Sequence, residues 1–335
     1  MDIERIISEM TLEEKASLCS GADFWKTKKI ERLDVPSVMM CDGPHGLRKQ
    51  VGEGDHLGIN DSIEAVCFPT SSALASSFDK DLLKRLGEVL GRQCQSEDVA
   101  MLLGPGLNIK RSPLCGRNFE YFSEDPYLTG QLATAYVKGL QSKGVAACVK
   151  HFACNNQETQ RMSGSSQVDE RTLHEIYLAA FEEVVKEGKT GSVMCAYNAI
   201  NDEYCAENKK LLNDILRDKW GYEGFVVTDW GAVKDRVKGL EAGLDLEMPG
   251  GPGNQDGKIV RAVESGELDE AILDQTVRRL LEFVSNYEKE HSNYESYDIL
   301  EDRSLSAEIA KECAILLKNE DNILPLEKEL KAAFI

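Results

Sequence analysis

The sequence contains no apolar run that approaches the roughly 18 residues needed by a membrane-spanning helix. Its opening, MDIERIISEM, places two acidic residues among the first four and has no apolar core, so it does not predict a secretory signal peptide. The ten cysteines form no C-x-x-C pair, which, without an export signal, favours free thiols in a reducing cytoplasm. The five histidines show neither H-E-x-x-H nor another metal-ligand spacing, so we predict no metal and no cofactor.

Positive charge is also scarce, because 39 Lys and Arg stand against 58 Asp and Glu and give a net charge of −19. So acidic a surface repels the phosphates of nucleic acids and anionic lipids, and we predict neither nucleic acid nor membrane as a partner. We expect a cytoplasmic protein that acts on a neutral small molecule. The 335 residues are enough to bury one large core and begin another.

Short apolar segments recur along the chain and predict β-strands. They are residues 36–41, 98–103, 145–149, 191–196, 225–228 and 244–248. Amphipathic helices lie between them, most clearly over 171–186, where apolar residues recur with helical spacing. This alternation is typical of a buried parallel sheet and predicts an α/β fold. It favours a (β/α)8-type TIM barrel, regular or irregular, over an open sheet, because the turn Gly104-Pro105-Gly106 lacks the third glycine of a phosphate-binding loop.

The C-terminal part of the sequence has a different pattern. Residues 285–303 are polar and weakly patterned, which predicts a linker after a barrel domain at 1–284. A helix is predicted from Ser304 to Lys318, and the apolar residues 332–335 resemble the start of a strand. We therefore expect residues 304–335 to be the truncated beginning of a second domain.

Polar, charged and aromatic residues follow the apolar strands where each one ends. They are Asp42, Asn108, Lys150, His151, Tyr197, Asn198, Asp229, Trp230 and Glu247. Each has a structural alternative on its own: Asp42 or Asp229 can cap a helix, Lys150 and His151 can form a solvated loop pair, and a lone tryptophan is often core. Residues at this end of a parallel barrel carry its chemistry, so their joint arrangement favours a site for a neutral, polyhydroxylated ligand.

Several motifs resemble those of glycoside hydrolase family 3. They are CDGPHGLR at 41–48, GRNFE at 116–120, KHF at 150–152 with NNQE at 155–158 and Arg161, AYN at 196–198, and VVTDWG at 226–231. The last resembles the nucleophile motif of the family, usually S-D-W and here T-D-W. Residues 304–326 are similar to the entry into the family's second domain, an αβα sandwich. The resemblance implies a retaining β-glycosidase, and we expect a β-glucosidase.

The resemblance also implies a role for individual residues. The implied reaction is hydrolysis of terminal non-reducing β-D-glucosyl residues. Asp229 is implied as the nucleophile, which would carry the glycosyl group as a covalent intermediate. The implied sugar ligands are Asp42, Arg117, Lys150, His151 and Arg161. Tyr197 is implied to orient the nucleophile, Met194 to line the pocket and Trp230 to stack near the aglycone. We expect nearby cations and the Tyr197 hydroxyl to depress the pKa of Asp229.

A retaining glycosidase needs a second carboxyl group about 5 Å from its nucleophile, acting as acid and then as base. The resemblance implies a glutamate on the second domain, outside this sequence. We therefore expect the 335-residue chain alone to be weak or inactive. Within the barrel, Glu158 is the first residue to test for this role.

Three other functions stay open from the sequence. A single-domain β-N-acetylhexosaminidase would need a His-Asp dyad, but the loop at 153–158 lacks the P-G-H of that subgroup and His174 lies inside a predicted helix. A lyase or aldolase barrel could use Lys150 as a Schiff-base lysine. A catalytically silent sugar-binding fragment is the third. Among substrates, β-xylosides and β-galactosides remain alternatives to β-glucosides.

Overall fold

Five of the six predicted strands form one parallel sheet in the computed structural model, which describes residues 1–52, 54, 60–251, 254–291, 296–331 and 333. The strands of this sheet are β1 (Met40–Asp42), β2 (Met101–Leu103), β3 (Ala146–Phe152), β5 (Ser192–Cys195) and β8 (Phe225–Thr228). They are neighbours in that order. A separate small sheet contains β4 (Ser165–Ser166), β6 (Ala199–Ile200) and β7 (Glu203–Tyr204).

The sixth predicted strand, residues 244–248, forms single β-bridges instead of a regular strand. The bridges that continue the ladder are Val227–Leu246, Ser20–Glu247, Gly21–Thr27 and Lys26–Met39. The first begins on β8 and the last ends directly before β1, so the sheet returns to its own edge. Ser20 bridges Glu247 in parallel, whereas the bridges Gly21–Thr27 and Lys26–Met39 are antiparallel because such short connections cannot make the crossover that parallel pairing needs. The predicted barrel is confirmed, in an irregular form.

Helices surround this barrel. The α-helices are α1 (Ile3–Glu9), α2 (Leu12–Leu18), α3 (Ser71–Ala75), α4 (Lys80–Ser96), α5 (Pro126–Gln141), α6 (Glu170–Thr172), α7 (Ala179–Glu183), α8 (Arg236–Ala242), α9 (Asp256–Ser265), α10 (Glu270–His291) and α11 (Ile299–Glu312). Wider π-helical turns occupy Leu173–Tyr177, Val184–Gly188 and Lys210–Lys219. The helix predicted over 171–186 therefore forms, with π-helical turns in two places. In the described part of the chain, no helix combines the length and the apolar character needed to cross a membrane.

Successive strand residues separate into two apolar layers. Met194 and Val227 pack in the cluster that fills the barrel interior, whereas Val193 and Val226 pack in the cluster shared with the surrounding helices. Side chains alternate between the two faces of a strand, and both faces are buried here, so the strands are continuously apolar in sequence. Phe283 of α10 joins the interior cluster. The interior is thus an apolar support for the polar strand ends.

The C-terminal segment differs from the predicted boundaries. Helix α10 continues to His291, so the first part of the predicted linker at 285–303 is helical. Helix α11 begins at Ile299, before the predicted start at Ser304, and ends before Lys318. Its Leu305 and Ile309 are buried in the main core cluster, because this helix packs against the barrel. The strand predicted at 332–335 lies largely outside the described residues, and the division into domains stays a prediction.

If α11 is part of the barrel core, shortening Ile309 should destabilise the barrel. Ile309 is 0% exposed, and Ile309→Ala leaves a cavity, so we expect a loss of about 2–4 kcal/mol in the free energy of unfolding. Urea unfolding followed by tryptophan fluorescence measures this. Ile315→Ala removes the same atoms from a side chain that is 56% exposed and serves as the control. Equal stability changes in the two variants would contradict the packing role.

Candidate active site

Residues from four strands converge at the carboxyl end of the barrel. Asp42 ends β1, Lys150 and His151 lie in β3, Met194 lies in β5, and Asp229 directly follows β8. Parallel strands end at the same edge, so these side chains meet there as the sequence predicts. The cavity between them has a volume of about 170 Å³. Its lining residues are Phe24, Trp25, Asp42, Arg48, Leu103, Arg117, Lys150, His151, Met194, Asp229 and Trp230.

Two cations and two carboxylates form a network beside the cavity. Lys150 Nζ donates to Asp42 Oδ1 at 2.9 Å and lies 3.6 Å from Glu120 Oε2, while Arg117 Nε donates to Glu120 Oε1. Burial alone would lower the pKa of Lys150, but Asp42 and Glu120 outweigh it and raise that pKa. Burial also opposes ionisation of Asp42, yet Lys150 brings the pKa of Asp42 below its ordinary value. The network therefore keeps Lys150 protonated and Asp42 ionised.

The turn after Asp42 requires a glycine. Gly43 has a φ of 126°, and a Cβ at this position would lie 2.1 Å from the carbonyl oxygen of Gly46. The turn is closed by Arg48 N, which donates to Asp42 O at 3.0 Å. It brings Arg48 Nη1 to 3.7 Å from Asp42 Oδ2. The D-G-P-x-G-x-R spacing thus places a carboxylate and a guanidinium together on the cavity wall.

Asp229 is held by the backbone and carries a carboxylate with one unpartnered oxygen. Its N–H donates to Cys195 O at 3.1 Å, whereas the buried Oδ2 has no hydrogen-bond partner among the described residues. Burial raises the pKa of Asp229 to about 6, although Arg117, Lys150 and Tyr197 act in the opposite direction. These neighbours act in the predicted direction, but the expected net lowering of the pKa is wrong, because the loss of hydration outweighs their attraction.

His151 lies beside this carboxylate as a neutral imidazole. Its Nε2 is 3.6 Å from Asp229 Oδ2, and its Nδ1 lies 3.1 Å from the Tyr121 hydroxyl. Burial, reinforced by Arg117 and Lys150, holds the pKa of His151 well below its ordinary value. The contact between His151 and Asp229 is therefore polar, without a full positive charge on the ring.

Tyr197, Arg161 and Trp230 surround Asp229 in different ways. The Tyr197 hydroxyl donates to Trp230 O at 3.0 Å, and the Arg161 guanidinium lies 4.9 Å from the centroid of the Tyr197 ring. Arg161 also donates to Glu158 Oε2 at 3.0 Å. Tyr197 and Arg161 do not contribute to the cavity wall, so Arg161 reaches the site through Tyr197. Trp230 does line the wall, and its Nε1 donates to Phe24 O at 3.1 Å.

The other predicted strand-end residues contact the surrounding fold. Asn108 hydrogen-bonds the backbone of His151 on both sides, with its Oδ1 accepting from His151 N at 2.7 Å and its Nδ2 donating to His151 O at 2.9 Å. Asn198 donates to Ala153 O at 3.1 Å. Glu247 lies 3.8 Å from the buried Arg236. Of these three, only Asn108 supports a residue that lines the cavity.

The sequence interpretation missed six residues that line or support the cavity. They are Phe24, Trp25, Arg48, Leu103, Glu120 and Tyr121. Arg48 and Glu120 are the last residues of the motifs at 41–48 and 116–120, so these motifs could have identified them. Phe24 and Trp25 lie in the segment that closes the barrel ring by bridges, and no strand pattern marks that segment.

Comparison with known proteins agrees with this arrangement. The model of the glycosyl hydrolase family 3 N-terminal domain matches residues 6–283. Thermostable beta-glucosidase B of Acetivibrio thermocellus is 56% identical over 335 residues, which are 100% of this chain and 44% of that protein. An exo-alpha-(1->6)-L-arabinopyranosidase of Bifidobacterium longum is 46% identical over 96% of this chain and 42% of its own length.

A solved structure supports the same relationship. Beta-glucosidase 3B from Thermotoga neapolitana, in complex with glucose, matches with a TM-score of 0.89 at 40% identity, covering 98% of this chain and 48% of that one. This chain thus spans less than half the length of these three proteins. The resemblance seen in the sequence motifs is confirmed: this chain belongs to glycosyl hydrolase family 3 and contains the N-terminal domain of that family at residues 6–283.

Proposed function

We propose that this chain is the barrel domain of a retaining β-glucosidase in which Asp229 is the nucleophile. The observation that carries the proposal is the position of the Asp229 carboxylate at a barrel strand end, with Oδ2 unpartnered within the described residues. It faces a cavity whose walls include Asp42, Arg117, Lys150 and His151. Hydrogen-bonding groups fixed in this way suit the hydroxyls of a neutral sugar.

The reaction would proceed in two displacements. One Asp229 oxygen bonds to the anomeric carbon while the bond from that carbon to the aglycone oxygen breaks, and the departing oxygen takes a proton from a general acid. A water molecule then attacks the same carbon, gives a proton to the conjugate base of that acid, and displaces Asp229. Arg117 and Lys150 stabilise the carboxylate each time it carries its charge.

The general acid is proposed to come from a part of the full-length protein outside the barrel. A general acid needs a raised pKa, but Lys150 lowers the pKa of Asp42 despite its burial, and Glu120 is bound to both Arg117 and Lys150. Glu158 is bound to Arg161 and remains the barrel residue to test. Glu158→Gln should therefore leave the hydrolysis of alkyl glucosides by the full-length protein intact.

The geometry argues against the lyase alternative. A Schiff-base lysine needs a lowered pKa so that its amine is free. The carboxylates of Asp42 and Glu120 raise the pKa of Lys150 instead, against the effect of burial. A protonated lysine is suited to donating hydrogen bonds to sugar hydroxyls.

The proposal also specifies which sugar the site prefers. Relatives named for β-glucosides and for α-L-arabinopyranosides are 56% and 46% identical to this chain. The two sugars share the spatial orientation of the anomeric bond, but the arabinopyranoside lacks the C5 hydroxymethyl group and is inverted at C4. We propose β-glucosides as the preferred substrates. Values of kcat/KM for aryl β-D-glucoside, β-D-xyloside, β-D-galactoside and α-L-arabinopyranoside would rank them directly.

Removal of the nucleophile should abolish the covalent route. In the full-length protein, Asp229→Ala should lower kcat for an aryl β-glucoside by at least about 10³-fold. A 2-fluoro-glucoside should form a stable ester on Asp229 of the unchanged protein, located by peptide mass spectrometry. Asp235→Ala, which removes the N-cap carboxylate of α8 and does not affect the cavity wall, is the control for the loss of an aspartate close to Asp229 in the sequence. A label on another residue would contradict the assignment.

The pH dependence of kcat/KM should report the raised pKa of Asp229. Below its pKa of about 6 the carboxylate of Asp229 takes up a proton and is no longer a nucleophile. The value of kcat/KM should then decrease with falling pH, with a slope that approaches about tenfold per pH unit. Arg117 is the strongest group that lowers this pKa, so Arg117→Met should move the acid limb to higher pH.

The control for this pH experiment is Arg111→Met, because Arg111 hydrogen-bonds Tyr177 and does not line the cavity. It should leave the acid limb unchanged. An acid limb that stays near pH 4 in the unchanged protein would show that burial does not dominate at Asp229.

Asp42 should contribute to transition-state binding through its fixed carboxylate. Asp42→Asn should reduce kcat/KM by roughly 2–4 kcal/mol in transition-state terms, as expected for a charge-assisted hydrogen bond in a dry site. Glu97→Gln, which neutralises the carboxylate paired with Lys49 outside the cavity, is the matched control. If Asp42→Asn lowers kcat/KM by less than about tenfold, Asp42 is only a structural partner of Lys150 and does not contribute to transition-state binding.

A further inference from the structure

The two ring nitrogens of His151 face different surroundings. Nε2 points to the cavity side, 3.6 Å from the unpartnered Oδ2 of Asp229. Nδ1 points to the protein side, where the Tyr121 hydroxyl lies at 3.1 Å and Asn108 Oδ1 at 3.4 Å. Since a neutral imidazole carries one proton, its position decides whether the cavity meets a donor or a lone pair.

The amide of Asn108 has a fixed orientation. Its Oδ1 accepts from His151 N at 2.7 Å and its Nδ2 donates to His151 O at 2.9 Å. A flipped amide would bring a donor against an N–H and an acceptor against a carbonyl. Asn108 therefore presents to Nδ1 an acceptor that already receives a shorter hydrogen bond.

Tyr121 has the opposite effect at the same nitrogen. Its side chain is fully buried, and its hydroxyl hydrogen-bonds His151 Nδ1. A proton on Nδ1 would leave the Tyr121 hydroxyl hydrogen without this acceptor and would turn the Nε2 lone pair towards a carboxylate oxygen. A proton on Nε2 lets Tyr121 donate to Nδ1 and gives Asp229 a facing N–H, so both buried groups are satisfied.

We propose that Tyr121 is a positioning residue that holds His151 with its ring proton on Nε2, directed at Asp229 and the cavity. Tyr121 acts on the ring from outside the cavity, as it is not among the lining residues. The tautomer follows from the contacts alone. Its consequence, a fixed donor beside the nucleophile and the sugar, rests on the proposed function.

The tautomer can be measured without any activity assay. In the 335-residue chain labelled with ¹⁵N-histidine, two-bond proton–nitrogen correlations distinguish a protonated ring nitrogen from an unprotonated one. We expect His151, assigned by loss of its signals in His151→Gln, to show a protonated Nε2 and an unprotonated Nδ1 at neutral pH. Asp229→Asn removes the facing charge and should keep this pattern, because Tyr121 still donates.

The decisive variant is Tyr121→Phe in the Asp229→Asn background, where we expect the protonated Nε2 signature to be lost or averaged with the other tautomer. Tyr222→Phe in the same background is the control, because it removes another buried hydroxyl, which donates to Phe225 O at 2.8 Å. This control should keep the Nε2 pattern.

Two results would overturn the proposal. One is a protonated Nδ1, or an imidazolium, in the unchanged chain at neutral pH, which needs no variant to fold. The other is an unaltered Nε2 pattern in the double variant carrying Tyr121→Phe. Either result leaves the role of Asp229 untouched, whereas a failure of the 2-fluoro-glucoside to label Asp229 leaves the tautomer untouched.

Discussion

Lys150 and Arg117 bring two positive charges into a site that also contains the carboxylates of Asp42, Glu120 and Asp229. Each of the first two carboxylates is bound to one or both cations, whereas among the described residues Asp229 has no ion pair with a lysine or an arginine. At Asp229 desolvation outweighs the attraction of Arg117 and Lys150 and raises the pKa, while Lys150 brings the pKa of Asp42 below normal. The carboxylates of one cavity thus differ in their ion pairs and in the direction of their pKa shifts, which is the division that the proposed function requires between binding groups and a nucleophile.

This charge arrangement depends on the rigidity of the barrel. Removing one partner of a buried ion pair leaves the other uncompensated, at a cost of about 3–5 kcal/mol, so the groups must be held at their distances. Asp42 and Lys150 lie on separate strands, and Glu120 reaches the pair from the end of the short 3-10 helix Asn118–Glu120. Below them the strands pack through an apolar interior that includes Met194 and Val227.

Strand ends were predictable from the sequence because their signal is local. An apolar run followed by a polar residue identified Asp42, Lys150 and Asp229, and parallel pairing brought them together. Tyr121 and Phe24 were missed because loop positions depend on tertiary contacts that have no period. The pKa of Asp229 was predicted with the wrong sign because a sequence shows which charges are present but not how much hydration is lost. Helix α11 was predicted as a helix, while its contact with the barrel required the fold.

The raised pKa of Asp229 also has a cost for stability. With a folded pKa of about 6 and an ordinary value of 3.8, the folded chain binds more protons than the unfolded chain between these two pH values. Stability therefore falls as the pH rises through this window, and above it the ionised carboxylate costs about 3 kcal/mol, at about 1.4 kcal/mol per pKa unit. A direct ion pair to Asp229 would remove that cost, but it would also occupy the oxygen that faces the cavity. That no such pair occurs among the described residues is therefore the compromise expected if Asp229 is the proposed nucleophile, kept for reaction rather than for folding.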